Sequence, residues 1–549
     1  MSLKTATSVF GLVAMGLSTS GGRAALADSD YFQPGNLLLS RALYDNNPNN
    51  VQAGVTQLPP NCTTATPCAT AISNGTYPYV WNNDTVDASF GITAKIVLDQ
   101  LTPSGVLVNS LEVPNSSQNG VPPTKDQMVT SFPSKSEVAL NLSTDGQFVT
   151  FMGYLAPINA LDVSNSNTPA VVDPTNPVNL TDFRVVAQVD GKGKFHFTKT
   201  NTYSGNNGRA AILNNTKSAS ILYTAGNAGN GGNPQPSGVI IGAGAQILSA
   251  QTKALVAQNP GLPTPVGSFN ITELGLKPDK IGKDTNFRGL TIFNNVIYTT
   301  KGSGGNGVNT VYFIDTSGAA DSNGNPHACP TGVGLPSSSA TLPTTPIVYN
   351  AANLATKGVF PYNMCILNGF PATTASTKTS FPFGIWFADG KTLYVADEGN
   401  GDNTFKNGTY TKAAAQTTAG LQKWVFNAGS WTLAYTLSAG LNLGVPYTID
   451  GYPTGTNSVT NLPGSPATDG LRNITGRVNG DGTVTIWGVT STVSGNGDQG
   501  ADPNKLVMIA DTLASTTLPS AESFTTVRTA GFAEVLRGVS FTPGTGVSH

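Results

Sequence analysis

Five times along this chain an apolar strand, a tight turn and a second apolar strand ending in small residues follow one another. A chain built from such hairpins is committed to antiparallel sheet. The clearest copy runs from Phe383-Gly-Ile-Trp-Phe-Ala through Asp389-Gly390 to Leu393-Tyr-Val-Ala-Asp397. Asp-Gly is a strong two-residue hairpin signal, because both positions tolerate the backbone angles a tight turn needs. Leu290-Thr-Ile-Phe turns at Asn294-Asn295 into Val296-Ile-Tyr-Thr-Thr. Val138-Ala-Leu-Asn-Leu turns at Asp145-Gly146 into Phe148–Tyr154. A fourth copy opens at Arg209 and returns over Ile221-Leu-Tyr-Thr-Ala, and a fifth opens at Arg472, turns at Asp481-Gly482 and returns over Val484–Val489.

The copies begin near Val138, Ala210, Leu290, Gly384 and Ile474, so they lie 72, 80, 94 and 90 residues apart. Further strand patterns follow each hairpin: 183–189, 238–241, 310–315, 421–426 with 431–437, and 506–511. Four antiparallel strands per unit make one propeller blade, which needs only about 40–45 residues. The excess falls to long loops such as 316–346 and 400–419, rich in the small and polar residues that favour turns. Arg537-Gly-Val-Ser-Phe541 repeats the opening strand just before the chain stops. The N-terminal part supplies strands without an opening: 35–42, 94–98 and 106–113. The expected fold is therefore all-β: a single closed β-propeller of six blades, or seven if one irregular repeat is hidden. Its ring would be closed by N- and C-terminal strands sharing a blade, which removes exposed sheet edges.

Leu393-Tyr-Val-Ala-Asp397 behind Asp389-Gly390 resembles the blade signature of NHL, SMP-30-like and YVTN-type extracellular propellers. Leu421-Gln-Lys-Trp424 with Trp431-Thr-Leu-Ala-Tyr435 is similar to the next hairpin in uncharacterised secreted propellers. The resemblance covers one blade well and the others loosely. It implies the fold and carries no catalytic residue.

Residues 1–27 read as a signal peptide, with Lys4, an apolar stretch over 9–17 and Ala25-Leu26-Ala27 as cleavage site. Residues 28–549 would then be the propeller, secreted to an extracellular or periplasmic space. No later segment has the roughly 18 consecutive apolar residues that span a bilayer. Four cysteines suit an oxidising compartment, and the pairing Cys62–Cys68 and Cys329–Cys365 joins sequence neighbours. Only 11% of residues are charged, net charge is −2, and Lys and Arg do not cluster, which excludes nucleic-acid binding as an expectation. A monomer is expected.

Arg209, Arg288, Arg472 and Arg537 each open a unit, and Glu137 and Phe383 take that place in the other two. Propeller ligands bind where inner strands begin or end, so four guanidiniums and a carboxylate would face one axis. Guanidinium grips carboxylate, sulfate or phosphate bidentately. The alternative is that each Arg donates to a loop carbonyl and locks neighbouring blades. Glu137, Tyr154 and His196 are candidate catalytic groups; a strand histidine is equally a surface side chain. Asp397, Asn400 and Asp402 place oxygens at the kind of spacing Ca2+ accepts, although a solvated turn explains them too. No cofactor is expected otherwise. Gly302–Gly307 fits G-x-G-x-x-G but leads into a strand, without the helix that would hold a pyrophosphate.

Three functions fit. One is a secreted binding or scaffold propeller recognising an anionic extracellular carbohydrate or a protein. The second is a carbohydrate- or lactone-directed hydrolase or lyase with a Tyr, His or carboxylate pair beside the Arg residues. The third is a surface or matrix protein whose channel is plugged by apolar side chains.

Overall fold

The computed structural model describes residues 30–58, 69–71, 91–122, 126–131, 136–169, 181–200, 202–216, 219–227, 245–249, 255–256, 266–268, 270–271, 286–302, 308–315, 333–344, 363–373, 379–452, 454–457, 460–496 and 499–547. The expected leader, Cys62, Cys68, Cys329 and the expected strand over 238–241 lie outside them. The described chain is all-β, with one four-residue α-helix, Thr411–Ala414.

The turns form for the reason the sequence suggests. Asp145, Asp389 and Asp481 each accept a hydrogen bond from the backbone N–H two residues on, at 2.9, 2.8 and 3.0 Å. A short acidic side chain thereby replaces the backbone bond of the turn. Asn294 and Asn295 both take positive φ, 47° and 59°, the geometry of a two-residue turn matched to strand twist.

The sheets take a propeller arrangement of five blades, where the repeat count predicts six. Blade 1 orders Asn141–Leu142, Phe148–Tyr154, Arg184–Asp190 and Phe195–Thr200 from inside out. Blade 2 is Gly208–Asn214, Ile221–Gly226, Ala245–Ser249 and Val266–Ser268. Blade 3 is Leu290–Phe293, Val296–Lys301, Thr310–Asp315 and Asn363–Leu367. Blade 4 is Pro382–Asp389, Thr392–Asp397, Gly420–Asn427 and Ser430–Leu437. Blade 5 is Ala467–Val478, Thr483–Val493, Lys505–Thr512 and Thr525–Thr529. A further sheet, here the terminal sheet, orders Glu534–Phe541, Leu37–Leu43, Thr93–Leu101 and Leu107–Glu112. Its first two strands are antiparallel, Leu37 opposite Phe541 and Leu43 opposite Glu534.

Inner strands pack on the next inner strand in chain order, and Glu534–Phe541 touches both Ala467–Val478 and Asn141–Leu142. Each junction has its own apolar cluster. Between blades 3 and 4 it includes Phe313, Leu367, Phe387 and Trp431; between blades 4 and 5, Tyr394, Leu421, Leu471 and Ile486. Leu37, Leu39 and Leu101 of the terminal sheet pack with Trp487 and Leu506 of blade 5, and Leu38 and Leu98 pack with Phe151 and Val185 of blade 1. These faces bury alternate residues of each strand, as period-two patterning requires. The expected unstructured stretch 400–419 contains a small hairpin, Phe405–Lys406 with Thr409–Tyr410, as well as the helix.

Candidate functional site

Each opening strand begins with a residue that must approach its neighbour's backbone. A Cβ on Gly289 would collide with the carbonyl oxygen of Phe383, and one on Gly384 with that of Arg472. Only glycine permits such an approach. The same level continues where Ala139 N donates to Arg209 O at 3.3 Å and Ser40 Oγ to Val138 O at 2.8 Å. The residues just before these points, Glu137, Arg288 and Phe383, are thereby held at one end of the axis. Val138 takes φ 61°, costly for a β-branched residue, immediately beside Glu137. The regular strand of blade 1 begins only at Asn141, with two ladder residues instead of the five expected.

Three of the four expected arginines interact at this mouth. Glu398 lies between two of them: Oε1 is 3.4 Å from Arg288 Nη1, and Oε2 is 3.2 Å from Arg472 Nε. Arg288 also donates to Ser136 Oγ at 2.5 Å and stacks over the Phe383 ring at 5.6 Å. Arg209 donates to Asn286 Oδ1 and, at 2.9 Å, to Phe287 O. Its Nε is buried without a hydrogen-bond partner, and among the described residues no carboxylate lies within ion-pair distance of it. Burial lowers the Arg209 guanidinium to about 9, and the next cause is the positive charge of Arg288. Arg472 is likewise lowered by burial, with Glu398 opposing. Arg537 donates to Gly500 O at 3.5 Å, a blade-locking contact of the kind the alternative reading expects.

Glu137 is held from four directions. Tyr154 Oη donates to Oε1, as does Asn207 Nδ2 at 3.0 Å, while Thr130 Oγ1 and Ser131 N donate to Oε2 at 2.8 and 3.0 Å. Arg184, fully buried, stacks over the Tyr154 ring at 5.2 Å. Burial, then the Glu137 charge, raises the Tyr154 phenol well above its ordinary range, so it stays a donor.

The other expected groups lie apart from one another. His196 sits on the outermost regular strand of blade 1, paired with Gln188 and edge-on to Phe148, at the far end from Tyr154. Asp397 accepts from Phe381 N at 2.8 Å, Gly399 N at 3.0 Å and Ser380 Oγ at 3.1 Å. Asn400 Oδ1 accepts from Asp402 N, and Asp402 Oδ1 from Thr404 N, both at 2.9 Å. Those oxygens serve turns, and among the described residues no group of three His, Cys, Asp or Glu could hold a metal. Asp397 is raised to about 7, chiefly by burial. Cys365 is buried in Asn363–Leu367 and is not a free thiol.

Glu398 is the residue the sequence reading missed as a mouth group. Its signal was the hairpin register: Pro382 pairs with Asp397, so the residue after the returning strand must stand beside the next opening.

The opposite end of the axis is different. A cavity of about 330 Å³ is lined by Leu142, Ile212, Ile292, Ile385 and Ile474 of the five blades and Phe541 of the terminal sheet, together with polar residues such as Thr144, Thr475 and Arg477. Residues 545–547 lie against it, with Gly35 N donating to Thr545 Oγ1 at 2.8 Å.

No family model matches the chain, and no curated protein does. Among solved structures it is similar to a Trp149Ala mutant of the apocarotenoid oxygenase of Synechocystis, at 8% identity and a TM-score of 0.22. The match covers 82% of this chain and 59% of the oxygenase. The described residues contain no helix long and apolar enough to cross a membrane.

Proposed function

We propose that this is a secreted binding propeller that captures a small anionic group, a carboxylate or sulfate carried on an extracellular sugar, at the arginine mouth. One observation carries the reading: Arg209 feels the like charge of Arg288 more than the opposing charge of either Glu398 or Glu137, and among the described residues no carboxylate is in ion-pair contact with it. Two guanidiniums in that relation are stabilised by an anion held between them. The side chains of Arg288 and Glu398 remain 10% and 11% exposed, so the mouth is open to a small group.

The same reading treats the terminal sheet as a sixth blade that closes the ring. Its support is the Leu37–Leu43 pairing with Glu534–Phe541 and the packing of that strand on blades 5 and 1. Export by the leader and a Cys329–Cys365 bridge complete it; the bound state of Cys365 favours the bridge. A hydrolase or lyase would use Glu137 and Tyr154, but these are 1% and 0% exposed and already satisfied by each other. A binding role fits them better.

The test is calorimetric titration of the full chain with oligogalacturonate, inorganic sulfate and neutral galactose. Saturable heat with the two anions, none with galactose, and a weakening of about tenfold or more in Arg288→Met, equivalent to about 1.4 kcal/mol, support the proposal. Equal heats with galactose, or an unaffected Arg288→Met, overturn it.

A further inference from the structure

Between blades 4 and 5, away from the mouth, one lysine is sealed against one aspartate. Lys423 and Asp511 have fully buried side chains, with Nζ 2.8 Å from Oδ2. They lie on the third strands of neighbouring blades, Gly420–Asn427 and Lys505–Thr512. Nζ also donates to Tyr435 Oη at 2.9 Å and Thr512 O at 2.7 Å. Both carboxylate oxygens of Asp511 accept phenols: Tyr394 Oη reaches Oδ2, and Tyr435 Oη reaches Oδ1 at 2.6 Å. Around them pack Leu421, Leu437, Val507, Ile509 and Phe524.

A second carboxyl group completes the cluster. Glu522 is half-buried beside Asp511: its Oε1 accepts from Thr512 N at 3.0 Å and Thr512 Oγ1 at 3.2 Å, and its Oε2 is buried without a hydrogen-bond partner. Burial and that neighbour raise it to about 7, so it can both give and take a proton near neutrality.

From this juxtaposition we propose that Lys423 and Asp511 form an intramolecular isopeptide bond that staples the two blades. An ion pair taken out of water is costly unless it is well compensated, and passing one proton from Nζ to Asp511 leaves an amine against a carboxylic acid. The geometry holds the amine within reach of Cγ, which replaces the entropy of a bimolecular encounter. The Nζ lone pair adds to Cγ, and Tyr394 and Tyr435 donate to the oxygens as charge builds on them. Glu522, as the carboxylate, takes the proton released from nitrogen and delivers it to the hydroxyl leaving Cγ. One C–N bond forms, one C–O bond breaks, and one water leaves. Nothing is oxidised or reduced, and Glu522 ends as it began. Thr512 is exposed and Glu522 only half-buried, which gives the water a way out.

The experiment is mass spectrometry of the full chain, reduced and denatured, with peptide mapping. The proposal expects a branched peptide joining the Lys423 and Asp511 segments and an intact mass lower by one water than the sequence of the same termini. Glu522→Gln should restore that water, with a circular dichroism spectrum like that of the unmodified chain. Lys423→Arg serves as a second uncrosslinked reference. Linear Lys423 and Asp511 peptides in quantitative yield from the folded protein overturn the proposal. So does a branched peptide that persists unchanged in Glu522→Gln, because it removes the assigned proton carrier.

Discussion

Two buried charge clusters divide this molecule. At the axial mouth, one carboxylate bridges two of the three arginines. Glu398 is shared by Arg288 and Arg472, and Arg209 is left to a side-chain amide and a carbonyl. Between blades 4 and 5, Lys423 meets one carboxylate, and each oxygen of that carboxylate is hydrogen-bonded. The first cluster is incomplete and partly open; the second is complete and sealed. Incomplete compensation at an open mouth is what a ligand would correct, whereas complete compensation in a core serves the fold. The difference is chemical as well as positional. Guanidiniums cannot give up their charge at ordinary pH, so the mouth must find an anion, while an ammonium can pass its proton and react.

The largest break in this comparison is Lys423→Ala. It strands Asp511 in an apolar junction and should cost about 4 kcal/mol in urea denaturation. Removing both partners in Lys423→Ala/Asp511→Ala should recover part of that loss, because no charge is then left buried. An effect of similar size comes from pH. The folded-state pKa of Asp397 is raised from 3.8 to about 7. Its contribution is therefore fully present below about pH 4 and is lost as pH rises through about 7. Asp397→Asn should flatten that fall, about 4 kcal/mol between the two limits. Chemical denaturation at several pH values checks it, and an unchanged slope would contradict the assigned burial. The smallest effect is Glu398→Gln. It keeps one oxygen acceptor for Arg288 or Arg472, turns an amide N–H toward the other and removes the negative charge, for a loss of about 1–2 kcal/mol. Sulfate should restore more stability to this variant than to Lys423→Ala, whose intact mouth should gain only what the unmodified chain gains. Equal rescue of both variants would erase the distinction between the clusters.

Much of the mouth was legible because hairpin period is local. Turn residues such as Asp389-Gly390 fix where a strand starts, and an Arg at such a start marks a charge on the axis. This recovered Arg209, Arg288 and Arg472, together with the Glu137–Tyr154 pair. Glu398 escaped because its neighbours Asp397, Asn400 and Asp402 read as metal oxygens. Their engagement in turns depends on hydrogen bonds that no spacing reveals. The Lys423–Asp511 contact was beyond reach for another reason. Its partners are 88 residues apart and meet only because blades 4 and 5 pack face to face. Length of the opening strands was overestimated in blade 1, where Val138 leaves the extended conformation. The far end was foreseen only as the apolar plug of a structural protein, whereas its aliphatic residues are mixed with Thr144, Thr475 and Arg477.

The central claim is that the pair Arg209 and Arg288 holds an anion. The most direct measurement is an anomalous diffraction map of crystals of the full chain grown with selenate, a sulfate analogue that scatters anomalously. The account predicts a peak within hydrogen-bond distance of both guanidiniums, absent from crystals of Arg288→Met. Anomalous peaks confined to other surfaces, with Arg209 and Arg288 bonded only to protein oxygens, would contradict it.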